Sequence, residues 1–127
     1  MDRQLILNTL LADASITNLT MVEGKPQIFL WMTPNQDLFP RIVLRETDNG
    51  TNLGADNRGI WSRQSYEIAF TVKATDWATF ISLCELIPAA MARIQGRLVS
   101  SGADQPIPEH GVVTKSQTYE FYESEEE

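Results

Sequence analysis

The sequence predicts an α+β domain: an antiparallel sheet of about four strands with a long hairpin, packed by one major helix and an N-terminal helix. Three observations carry that prediction. In residues 63–73, Tyr66, Ile68, Phe70 and Val72 alternate with Ser65, Glu67, Ala69, Thr71 and Lys73, the pattern of a half-buried strand. Trp77, Phe80, Ile81, Cys84, Ile87, Met91 and Ile94 then recur at helical spacing. Residues 112–123 form a last strand with Tyr119 and Phe121 inward. A helix laid across a hairpin with a returning strand makes a two-layer sandwich.

The elements follow in order. Leu5, Ile6, Leu7, Leu10 and Leu11 form an apolar stripe, so residues 3–12 are read as a helix with Asp2 as N-cap. Ser15 precedes Ile16, Leu19 and Val22, a short second helical turn that Gly24, Lys25 and Pro26 end. The unbroken apolar run of residues 28–32 is a short strand covered on both faces. Residues 33–37 form a loop, and Pro40 opens the next strand, residues 41–47, with Ile42 and Leu44 on one side. Residues 48–62, rich in Gly, Asn and Asp, are read as one long loop. The strands at 41–47 and 63–73 make the long hairpin. Thr75 or Asp76 caps the major helix, Pro88 should kink or break it, and Gly96 ends it. Residues 100–111 form another loop. Residues 1–122 make one domain, and residues 123–127 an acidic disordered tail.

Composition narrows the function. The chain has 127 residues, 43% hydrophobic and 21% charged, ordinary values for one globular domain. Its net charge is −7; Glu123, Glu125, Glu126 and Glu127 supply four of those negatives, which leaves the body at −3. With ten scattered Lys and Arg, the chain is a poor candidate for nucleic-acid binding, which needs clustered cations. No apolar run is long enough for a membrane span or a signal peptide, so a cytoplasmic site of synthesis is expected.

The sequence carries little that resembles a catalytic or metal-binding motif. Gly50 and Gly54 lack the Lys-Ser or Lys-Thr of a phosphate loop. Asp48, Asn49, Gly50, Asp56 and Asn57 lack the spacing and closing Glu of a calcium loop. One Cys and one His cannot build a zinc site. Glu46, Asp48 and Asp56 sit in or beside a polar loop and read as surface charge. Cys84 lies in an apolar helical pattern and reads as a small buried hydrophobe, with the only histidine, His110, distant in sequence. No catalytic, cofactor or metal residue is assigned. Of the three tryptophans, Trp77 is expected in the core and Trp31 in the core or an interface. Trp61, at the end of the polar loop, either folds back over the hairpin or anchors a protein contact.

The order of these pieces carries a resemblance. "LLADASIT" is followed by "QIFL", then "FPRIVLRETD", then "YEIAFTVKATDWATFISLCELIPAAM" running into the long helix, and "QTYEFYE" as the closing strand. Over nearly its whole length the chain resembles the tail-terminator or tail-completion proteins of tailed phages and prophages, the group related to the lambda-type terminator. In that family "LPYIVY" commonly stands where this chain has "FPRIVL". Pro88 in the long helix and the acidic tail depart from the pattern.

The resemblance implies a structural virion protein of the tail or neck, assembled in the host cytoplasm. Its copies would form a hexameric ring that caps the tail tube and joins it to the head-tail connector or neck protein. It implies no enzymatic activity and no cofactor. A ring needs heterologous contacts. The hairpin offers a strand edge and charges of both signs, so Arg41, Arg45, Arg63, Glu46 and Glu67, with Ile60 and Trp61, are the candidate interface residues. A head-closure or neck protein and a small cytosolic ligand-binding domain are the alternatives. An enzyme using residues 48–62 as a lid ranks lowest, because no acid–base pair is identifiable.

Overall fold

The alternating segments become the centre of a larger and mixed sheet. A computed structural model describes residues 3–31, 38–53 and 60–124. The elements are α1 (Arg3–Ala12), α2 (Ala14–Thr20), β1 (Met21–Val22), β2 (Lys25–Pro26), β3 (Ile28–Leu30), β4 (Arg41–Leu53), β5 (Ile60–Lys73), α3 (Trp77–Ala92), β6 (Arg97–Ser101), β7 (Gln105–Ile107) and β8 (Val112–Ser124). The six-stranded sheet has the order β3-β4-β5-β8-β6, with β7 also paired to β8, while β1 and β2 form a separate two-stranded sheet. This corrects the expected four-stranded antiparallel sheet, because β3 runs parallel to β4, with Ile28 opposite Ile42 and Leu30 opposite Leu44. A local pattern shows which face of a strand is apolar but not which neighbour it pairs with, or in which direction.

The N-terminal helix spans the expected residues, and its cap candidate Asp2 lies outside the described residues. The cap of α2 is Asp13: its carboxylate accepts from the backbone N–H of Ser15 at 3.0 Å and of Ile16 at 3.3 Å. The same carboxylate pairs with Arg93 at the end of α3 and so ties two helices together. After α2 the chain enters the β1–β2 turn instead of a featureless stop.

The hairpin is longer than expected. β4 and β5 stay in register from Arg41 opposite Thr71 to Leu53 opposite Ile60, with one bulge between Glu46 and Asp48. Much of the segment read as a loop over residues 48–62 is therefore strand. Its Gly and Asn residues are poor strand formers, but β5 supplies β4 with a long partner, and pairing overrides weak propensity. Residues 54–59, like the predicted loop at 33–37, lie outside the described residues. At the bulge the Thr47 hydroxyl donates to the Ser65 carbonyl at 3.2 Å.

Helix α3 continues through Pro88 without a break. Pro88 has no N–H, so the carbonyl four residues earlier loses its helical donor. Burial of Leu83, Ile87, Ala90 and Met91 on the sheet side offsets that loss. The buried stripe is Phe80, Leu83, Ile87, Ala90 and Met91, whereas Trp77 and Ile81 are exposed. Expecting Trp77 in the core was wrong: its ring stacks on Phe80, centroids 5.0 Å apart, and faces outward. Apolar residues cover more than one side of this helix, so spacing alone does not choose the inward side.

The helix closes with Gln95, not Gly96, in the left-handed region at φ 63°. The Gly96 N–H donates to the Met91 carbonyl at 2.8 Å and the Gln95 N–H to Ala92 at 3.1 Å. Beyond it, the segment expected as loop over residues 100–111 contains the end of β6 and all of β7. Both are short strands laid on the outer edge of β8.

The core lies between the helices and one face of the sheet. It holds Ile6, Leu10 and Ile16 from the first two helices, the inward side of α3, and Ile42, Leu44, Tyr66, Ile68, Phe70, Val72, Val113, Tyr119 and Phe121 from the strands. Tyr66 and Phe121 meet edge to face at 5.8 Å. β8 runs on through Glu123 to Ser124, and residues 125–127 lie outside the described residues.

Candidate assembly interface

Strand alternation sends the partners of these core residues to the opposite, polar face of the sheet. Arg41, Arg45, Glu67, Thr71, Thr114, Thr118 and Glu120 stand there, half-buried or exposed. Two of the predicted interface residues meet: Arg45 and Glu67 are directly opposite on β4 and β5, and their side chains pair at 2.6 Å. Arg63 reaches Glu120 on β8 at 3.7 Å.

Glu46 does not join this group. It is in register with the inward Tyr66 and so points to the helix-bearing face. Arg41 and Arg63 are also far apart. Arg41 is opposite Thr71, eight residues along β5 from Arg63, or about 27 Å at strand spacing. The candidate residues therefore form a stripe along the sheet, not one cluster. The backbones of Ile60 and Trp61 lie at the far end of that stripe, with Trp61 opposite Asn52 on one side and Ser124 on the other. Their side chains fall outside what is described.

At the other end, the Arg41 guanidinium sits 4.6 Å from the centre of the Phe39 ring. Phe39, Arg41, Thr71, Ile107, His110, Val112 and Thr114 line a trough of about 340 Å³. Within it the Thr71 hydroxyl donates to that of Thr114 at 3.1 Å, which in turn donates to the Phe70 carbonyl at 3.2 Å. Reading the sequence missed Glu120, Phe39 and His110 as members of this face. Alternation in β8 could place Glu120 beside Thr118, but only the register of β8 against β5 brings it to Arg63.

A second cavity of about 400 Å³ lies by the β1–β2 turn, between Val22, Pro26, Phe29 and Leu38. Cys84 is half-buried on α3; burial pushes its thiol up from the ordinary value, and Lys115 acts in the opposite sense. Lys115 itself pairs with Asp104 at 3.1 Å. His110 lines the trough on the polar face, whereas Cys84 belongs to the helix layer, so the two form no nucleophile–base pair. Among the described residues, no group of three or more His, Cys, Asp or Glu is placed to hold a metal ion. Among them, too, no helix is long and apolar enough to cross a membrane.

No family model matches the sequence, and no curated protein matches it. Among solved structures, the fold is similar to that of a chain in the virion of a native gene transfer agent particle. The TM-score is 0.62 at 16% sequence identity, over 91% of this chain and 88% of that one. At that identity the likeness establishes a shared fold.

Proposed function

We propose that this chain is a structural virion protein, and specifically a tail terminator whose copies close into a ring that caps the tail tube and joins it to the head-tail connector. The observation that carries the reading is the fold shared, over 91% of this chain, with a chain of the virion of a gene transfer agent particle. Two features of the chain itself support it. The sheet presents a long polar face bearing charges of both signs. Strand β4 also runs well past the short β3: pairing with β3 covers only Ile42, Val43 and Leu44 of its thirteen residues. An outer edge of that kind invites contact with another chain. The role requires no chemistry, only two different patches on each subunit that are complementary to one another, because neighbours in a ring meet head to tail.

Native mass spectrometry of the purified chain, with electron microscopy of the same sample, tests this. A closed ring, six copies in the reading taken here, is the expected result. A monomer at all concentrations would overturn it. A chain that binds a small molecule as a monomer would favour the ligand-binding alternative.

A further inference from the structure

We propose that residues 45–53 of β4 accept strand β6 of a second copy of this chain, laid antiparallel along the edge that β3 leaves open. The inference rests on the ring reading above and names the strands that would join neighbours.

The first argument is direction. β3 pairs with Ile42, Val43 and Leu44, and among the described residues no strand lies beside residues 45–53 on that side. β6 ends the other side of the sheet, with β8 as its strand neighbour. The steps from β4 to β5, β5 to β8 and β8 to β6 are each antiparallel, so β6 runs opposite to β4. Rotation about an axis along the strands keeps their direction. It therefore brings β6 of one copy antiparallel to β4 of the next. The contact joins two different edges, as a closed ring requires.

The second argument is level. Glu46, Tyr66, Tyr119 and Leu98 stand in one row across the sheet, so the two edges lie at the same height. Ser101 falls in the row of Leu44, where Leu30 of β3 already pairs. A stagger of two rows, about 7 Å at strand spacing, clears β3 and keeps every side chain on its own face. Closing a sheet on itself requires a stagger of this kind. It sets Leu98 beside Asn49 and Ser101 beside Glu46. The five residues of β6 then fit within residues 45–53.

The third argument is surface chemistry. Leu98 and Val99 are 42% and 44% exposed, whereas a protected edge carries charge or a covering element. β6 carries Arg97 and no acid, while residues 45–53 carry Glu46 and Asp48 against Arg45. The two edges are thus opposite in charge, which favours pairing with each other over pairing with themselves.

Disulfide trapping on full-length chains tests the proposal. In a Cys84→Ala background, Glu46→Cys, Asn49→Cys and Thr51→Cys are each co-expressed with Leu98→Cys and oxidised; a parallel set keeps Cys84, with wild type as its control. Side chains directly opposite on paired strands are close enough for a disulfide after small adjustment. The expected result is a mixed dimer, strongest for Asn49→Cys with Leu98→Cys. The chain carrying both of those changes should give a ladder up to the full ring on a non-reducing gel. Bonds between two copies of position 49, or two of position 98, would overturn the proposal in favour of a two-fold edge contact. Rings seen by native mass spectrometry that give no mixed bond at any of the three positions would overturn the edge pairing and leave the ring reading intact. A monomeric wild type would remove both.

Discussion

Gly96 and the ring of Phe121 compete for one volume: a Cβ at Gly96 would lie 2.7 Å from two ring atoms of Phe121. Phe121 is only 2% exposed and its ring is held edge to face by Tyr66, so it cannot swing out. The glycine follows the left-handed Gln95 that closes α3, at a point where the Phe121 ring of β8 packs against the backbone. Gly96→Ala should destabilise the fold by about 1–3 kcal/mol through overpacking. Denaturant unfolding checks this; an unchanged midpoint would mean that the core yields more easily than its burial suggests.

The charge stripe should matter for assembly more than for folding. The Arg45 side chain is half exposed beside Glu67, and an exposed pair contributes roughly 0.2–1 kcal/mol. Arg45→Ala should accordingly move the unfolding free energy by less than about 1 kcal/mol. Alanine at both Arg41 and Arg63 should impair ring formation measured by native mass spectrometry. Full ring formation in that double variant would remove the polar face from the interface.

Trp61 separates two roles with one variant. Its backbone sits between β4 and β8 near the end of the stripe. As an assembly anchor, Trp61→Ala should weaken association by about 2 kcal/mol or more, with little change in subunit stability. As a core residue, the same change should cost roughly 3 kcal/mol or more of stability. Thermal melting and sedimentation on the same protein decide between them; lost stability with intact assembly would take Trp61 out of the interface.

Alkaline stability should depend on Tyr119. Burial, and secondarily Cys84, push its hydroxyl well above the ordinary value of 10.0, and that hydroxyl donates to the Gln117 side chain at 2.8 Å. The folded chain keeps this proton where the unfolded chain releases it. Its contribution is therefore complete below pH 10 and falls as pH rises from there toward the folded value. Urea midpoints measured from pH 8 to 11 should decline, and Tyr119→Phe should flatten the decline. At neutral pH the same variant should cost about 1–3 kcal/mol, because the buried Gln117 oxygen loses its donor. An alkaline slope identical in both proteins would contradict the assignment.

The sequence by itself determined which side of each main strand is apolar. Ile42 and Leu44, then Tyr66 to Val72, then Tyr119 and Phe121 alternate with polar residues, and side chains in a strand must alternate between faces. It also determined the extent of α1 and the presence of a long helix after Asp76, because these depend on neighbours three and four residues apart. Of the candidate interface residues, the sequence showed that the hairpin carries charges of both signs; the pairing of Arg45 with Glu67 came from the register of β4 against β5.

Only the tertiary structure decided the rest. β3 lies parallel to β4, and no local pattern encodes that direction. The end of β6 and all of β7 lie in the segment whose composition reads as loop; pairing with β8 makes them strands. The rotation of α3, which exposes Trp77 and buries Ala90, depends on the shape of the sheet beneath it. Glu120 meets Arg63, and Arg41 shares a trough with His110, through registers set between segments dozens of residues apart. Periodicity is a short-range property of the chain, whereas pairing and rotation are chosen by the contacts that bury the most apolar surface together.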